Sequence, residues 1–340
     1  MKFLLFFLVL SVAGFCIFLT IHVLPENNNE LNLLIQEYQK ADSNKNIEKL
    51  KKISIQFSEL ASKAKGYRQK LYIGMQFYLD GQIAEYANDV EKEKSFYTKA
   101  YPYLYSKNTA IWDIKLYIAR KLSEIYMKEK KYELMDRWLA RIDSVLKEMD
   151  SLKVDGRNEI TAVYHKEKAF ILLDSNDISR ATREAEISWE IYQKHPQDIS
   201  RTTLRHLFYL KAKIAMARKE YLAAINYISF ALKNWIDEDG LFPSGFYKIF
   251  VDAHLKNGTS EEAVQTLNHI LTHPLLYKHD RARAEYMSLY YLAQIYQKNE
   301  KNALSRKYAE QAMQYSLPVE IRENLKSIFT PQEESYHARH

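Results

Sequence analysis

Residues 219–233, KEYLAAINYISFALK, decide how the chain folds. Their apolar side chains recur with a period near 3.6, so Ala223, Ile225, Ile228, Ala231 and Leu232 share one helical stripe. The same period extends outward on both sides. Leu116, Ala119, Leu122, Ser123 and Tyr126 form a second stripe of this kind. Sustained alternation of period two is absent from the sequence. Helix breakers recur at short intervals instead: Ser106-Lys107-Asn108, Asp174-Ser175-Asn176-Asp177, Asp237-Glu238-Asp239-Gly240 and Asn257-Gly258. Their spacing predicts helices of about 12–20 residues.

Composition excludes the rival fold classes. The 340 residues include 8 glycines and 7 prolines. Strand-rich and α/β folds use these residues at every tight turn, so so few argue against both. Hydrophobic residues make up 47% and charged residues 27%, which excludes disorder and a multi-span membrane protein. One cysteine excludes a disulfide framework and Cys-ligated zinc or iron–sulfur sites. The net charge of +6, from 49 Lys and Arg against 43 Asp and Glu, is mild for a nucleic-acid binder.

The pattern of residues 219–233 recurs. Tyr221, Ala224, Tyr227, Ile228, Ala231 and Leu232 follow Ala212, a small residue where two helices would pack closely. Comparable frames hold Ser123, Tyr132, Trp138 and Ile142; Ala169, Ile178, Ala185 and Ser188; Val251, Ala263, Leu267 and Ile270; and Ala293, Tyr308, Ala309 and Ala312. A weaker one holds Gly81, Ala84, Tyr97 and Ala100. Their last small or apolar residues stand at 100, 142, 188, 231, 270 and 312. Residues 30–65 read as one more hairpin without an alignable frame. Pro102, Pro196, Pro243, Pro274 and Pro318 follow the frames and read as ends of repeats; Pro25 and Pro331 bound the array. These frames resemble the second helix of a tetratricopeptide repeat. The intervals are longer than the 34 residues usual in that family. The resemblance implies an all-α, right-handed superhelical solenoid of six to seven helical hairpins. On this reading residues 25–320 form the repeat domain and 321–340 a polar tail.

Residues 3–24, FLLFFLVLSVAGFCIFLTIHVL, contain no charge. As a helix they are long enough to cross a bilayer core of about 30 Å. Lys2 precedes them and no Lys or Arg occurs in residues 25–39, which leaves the N-terminus cytoplasmic and residues 25–340 outside. An uncleaved membrane anchor over residues 1–24 is the leading expectation. Ser11-Val12-Ala13 allows a cleaved signal and secretion instead, and Cys16 a lipoprotein, although Phe15 is too large for a lipobox. Residues 25–340 lack cysteine, which suits an oxidising compartment. The abundance of Lys, Asn, Ile and Tyr fits a bacterial chain.

No catalytic or nucleotide-binding motif is present. His269 and His273 are four apart, but Pro274 follows and no carboxylate completes a metal site; His279, His337 and His340 add none. Asn257-Gly258-Thr259 has the form of a glycosylation sequon and also of a helix–helix turn. No enzymatic activity, cofactor, metal or small-molecule substrate is expected. In the tetratricopeptide family the first helices line a groove. That register implies a basic and aromatic groove of Arg120, Lys166, Phe170, Tyr209, Lys213, Lys248 and Tyr290, with Glu124, Asp252 and Gln294 beside them. Such a surface suits an acidic or C-terminal peptide segment. The family's carboxylate clamp of Lys and Asn is not reproduced, because the Asn partners are missing. The expected role is a membrane-tethered extracytoplasmic adaptor in envelope assembly or secretion. The alternative is a sensory module that detects a peptide or partner protein and acts through a separate subunit.

Overall fold

The computed structural model describes residues 29–104, 109–154, 156–233, 242–273, 277 and 280–329. All regular structure among the described residues is helical, with no strand. The low glycine and proline content has this result: nothing interrupts the backbone ladder except short turns. The expected membrane anchor, residues 1–24, lies outside the described residues, as do Cys16, Pro25, Pro274, His279, Pro331, His337 and His340. No described helix is long and apolar enough to cross a membrane.

The chain divides into two compact units, residues 1–202 and 203–340. The first contains α1 (Asn29–Ser43), α2 (Ile47–Lys63), α3 (Gly66–Tyr86), α4 (Val90–Ala100), α5 (Thr109–Lys128), α6 (Tyr132–Ser151), α7 (Arg157–Asp174) and α8 (Ile178–Lys194). Each packs on its neighbour in sequence except at the α8 end, and α5 also packs on α7. The second unit contains α9 (Arg201–Ala217), α10 (Tyr221–Lys233), α11 (Ser244–Asn257), α12 (Ser260–Thr272), α13 (Arg281–Lys298), α14 (Asn302–Met313) and α15 (Val319–Phe329). There α13 packs on α11, α12, α14 and α15.

One turn joins the two helices of seven hairpins, and the same closure ends α6 at Lys153 (φ 50°), where the Val154 N–H reaches the Met149 carbonyl at 3.1 Å. Lys45, Asn88, Lys130, Asn176, Lys219, Gly258 and Glu300 all enter the left-handed region, with φ from 49° to 77°. The N–H of the residue after each reaches back five residues to a carbonyl. The bonds are Asn46 to Ala41 (2.9 Å), Asp89 to Ala84 (2.9 Å), Lys131 to Tyr126 (2.8 Å), Asp177 to Leu172 (2.8 Å), Glu220 to Ala215 (2.9 Å), Thr259 to His254 (3.0 Å) and Lys301 to Tyr296 (2.8 Å). This is the Schellman closure, which satisfies carbonyls orphaned at a helix end. The next helix starts at once. Asn46, Asp89 and Asp177 cap it by accepting from the N–H of Lys49 (3.0 Å), Lys92 (3.2 Å) and Arg180 (3.1 Å).

The left-handed residues follow one another at intervals of 43, 42, 46, 43, 39 and 42 residues. Twelve residues after each lies a buried residue: Phe57, Ala100, Ile142, Ser188, Ala231, Ile270 and Ala312. The last six are the positions that mark the repeat in the sequence. Phe57 adds the hairpin that residues 30–65 left unaligned.

Two boundary expectations change. The tail expected from residue 321 begins inside α15, where Leu325 and Ile328 are buried and the helix packs on α13 and α14. Ile321 and Phe329 pack beside them, so the first nine residues of the expected tail carry an amphipathic stripe that the polar stretch after Phe329 hides in the average. Pro243 caps the start of α11 rather than ending a helix, where its missing N–H costs no helical bond.

The small residues Gly81, Ser123, Ala169 and Ala212 are all buried. At Gly81 a β-carbon would lie 2.5 Å from the Tyr97 ring, so only glycine lets α4 approach α3 this closely.

Candidate functional site

In the first unit the expected groove residues fall within a buried ionic network. Arg120 is buried on α5, bonded to Glu124 one turn along and 3.9 Å from Glu167 on α7. Lys166 is buried on α7, with its ammonium 3.3 Å from Glu167. Burial alone would lower the Arg120 pKa, but Glu124 and Glu167 outweigh it and the pKa rises. Both cations therefore carry their own counter-ions and offer no uncompensated charge to a ligand. Phe170 lies half-buried on the same helix.

The network continues through residues the sequence did not single out. Glu85 on α3 accepts from the hydroxyls of Tyr97 (2.8 Å) and Tyr117 (2.7 Å) and pairs with Lys121 at 2.8 Å. Burial would push its carboxyl up, but Lys121 and the two hydroxyls together hold it below the usual range. Glu93 on α4 is 3.6 Å from the same Lys121, which Glu85 already engages. Burial, with Glu85 and Glu124 adding to it, pushes Glu93 up to about 7 against the pull of Lys121. Lys168 joins Asp143 (2.5 Å) and Glu184 (3.1 Å), and Glu184 also meets His165 at 2.6 Å. A sequence signal existed: charged residues lie one turn apart on helices whose other faces are apolar. It reads as a solvated face until the neighbouring helices are in place.

A cluster of hydroxyls adjoins the network through Tyr78, whose ring lies 6.1 Å from those of Tyr97 and Tyr117. Tyr38 and Tyr78 share a hydrogen bond of 2.7 Å, and the Gln82 amide donates to both, at 3.1 Å and 2.9 Å. Tyr86 donates to Asp42. Several of the 26 tyrosines are thus core residues whose polar tips are satisfied internally.

In the second unit, Tyr209 on α9 stacks on Phe246 of α11 at 4.4 Å. Lys213 lies half-buried one turn on. Lys248 is exposed on α11 and pairs with Asp252 at 2.5 Å. Tyr290 on α13 is buried; its hydroxyl accepts from Gln294 (2.7 Å) and from Asn324 of α15 (3.2 Å). The C-terminal helix therefore occupies the Tyr290 hydroxyl. Only Lys248 among the seven residues stands well exposed, because the others sit on faces that neighbouring helices cover wholly or in part.

The His269 and His273 rings lie 3.7 Å apart, and no cluster of three metal-ligating side chains exists among the described residues. His273 meets the carbonyl of His269 at 2.8 Å, at the end of α12. Asn257-Gly258-Thr259 forms the α11–α12 turn, and buried His254 meets the Thr259 hydroxyl at 2.8 Å. No family model matches the chain, and no curated protein matches it.

Proposed function

We propose that the protein is a membrane-anchored, extracytoplasmic adaptor built as a tetratricopeptide-like solenoid, which holds a partner protein on the first-helix face of its repeats. The recurrence of one hairpin turn at near-constant intervals is the observation that carries this reading. A repeated hairpin gives each repeat the same register, so equivalent side chains recur along one face within each unit. A rigid face of this kind favours binding because little conformational entropy is lost on association. The anchor in residues 1–24 would hold the repeats at the membrane and raise their effective concentration near membrane partners.

In-cell crosslinking followed by purification of the full chain tests the reading. Recovery of envelope assembly or secretion components, lost in Lys213→Glu/Lys248→Glu, is the expected outcome. Recovery of a kinase or regulator in their place would favour a sensory module. Substrate turnover by the isolated protein would overturn both.

A further inference from the structure

Lys99, Lys115 and Arg141 of the first unit make no ion pair among the described residues. Each lies against aromatic rings instead. The Lys99 ammonium is 5.9 Å and 5.8 Å from the ring centres of Phe77 and Phe96. That of Lys115 is 5.2 Å from Tyr101 and 5.6 Å from Trp112. The Arg141 guanidinium is 5.0 Å from Tyr101 and 3.9 Å from Trp138. Tyr101 meets Trp138 edge-on at 5.1 Å, and Tyr103 meets Phe77 at 6.5 Å. The short 3-10 turn Tyr101–Tyr103 therefore joins α3, α4, α5 and α6 in one basic and aromatic surface. Burial lowers the Lys115 pKa; Glu148 opposes the effect and Arg141 adds to it. Ring faces fix the cations in place but supply no full negative charge.

We propose that this surface binds the carboxylates of an acidic peptide segment, with Lys99, Lys115 and Arg141 as the charge partners and Pro102 and Tyr103 as the apolar rest. Charge complementarity selects an anion. Burial selects a peptide over a bilayer: Trp112 and Trp138 are only 2% and 6% exposed, so they cannot insert into lipid as interfacial aromatic residues do. Pro102 and Tyr103 are exposed beside the cations and supply the side-chain contact that a free inorganic anion does not use.

The site shares α5 with Arg120 but uses none of the seven groove residues, so the two readings are tested by different variants. The test uses the full chain in detergent micelles and a fluorescent octapeptide of Glu, Asp and Leu, against its Gln, Asn and Leu counterpart. The acidic peptide is expected to bind at least tenfold more tightly, with the difference collapsing in high salt. Lys115→Gln/Arg141→Gln and, separately, Lys99→Gln should each weaken it several-fold, whereas Lys213→Glu/Lys248→Glu should not. Circular dichroism of each variant checks the fold, and the salt and amide-peptide comparisons need no variant. Equal affinity for both peptides, no binding, or indifference to the Lys99 and Lys115/Arg141 changes overturns the proposal. Displacement of the peptide by an equal concentration of glycerophosphoserine would reassign the site to a lipid headgroup and overturn it as well.

Discussion

Gly258 is the one glycine among the seven left-handed turn residues; the others are lysine, asparagine or glutamate. A β-carbon there would meet nothing within 4 Å, so its substitution tests backbone conformation alone. Gly258→Ala is expected to cost about 1 kcal/mol, the penalty for an L residue in this region. Lys219→Gly should have the opposite sign and stabilise by a few tenths to about 1 kcal/mol, since the left-handed penalty is removed there. Urea unfolding midpoints of both variants check the pair; two shifts of the same sign would contradict the turn assignment. Gly81 makes the complementary case, because a β-carbon there strikes the Tyr97 ring. Tyr97 is fully buried and bonded to Glu85, so it cannot swing aside without breaking that bond. Gly81→Ala should therefore destabilise by about 1–3 kcal/mol, measured by thermal or urea melting. The need for a small residue at 81 is legible in the sequence frame. The identity of the residue it must clear is not, because Tyr97 comes from the next helix.

At the scale of elements, α3, α4 and α5 meet around one ammonium and too many carboxylates. Lys121 is shared by Glu85 and Glu93, with Glu124 close by on α5. Glu93 has a folded pKa of about 7 against an ordinary 4.5. The folded state therefore binds a proton more tightly than the unfolded chain, so this group's contribution falls as pH rises from about 4.5 to about 7 and is constant beyond. The full difference is on the order of 3 kcal/mol, at about 1.4 kcal/mol per pKa unit. Glu93→Gln should remove that slope and raise stability at pH 8, read as urea midpoints of variant and wild type across pH 4–8. Parallel pH profiles for the two proteins would exclude Glu93 as the titrating group. The helices themselves were foreseeable from period and breakers. The burial of their charges was not: Arg120 and Lys166 pair with Glu124 and Glu167 on their own helices, and only the packing of α5 on α7 buries these pairs and brings Glu167 to Arg120 as well.

Across the whole molecule, stability in a hairpin array is a sum over neighbouring interfaces. The helix α15 closes the C-terminal end by burying Leu325 and Ile328 and by bonding Asn324 to Tyr290. Truncation after Pro318 should therefore strip hydrogen-exchange protection from α13 and α14 first, leaving α1–α4 unchanged. Uniform loss along the chain would contradict a nearest-neighbour array. Hydrophobic period and backbone punctuation alone establish the helical class, the interval at which the hairpins recur and the turns at Asn176 and Gly258, because these are local properties; the turns at Lys45, Asn88, Lys130, Lys219 and Glu300 carry no such punctuation. Only the tertiary structure decided which charges are spent inside, which tyrosines are core and which cations stay unpaired over aromatic rings. Those outcomes depend on desolvation and on partners from other helices, and neither is written in any one segment.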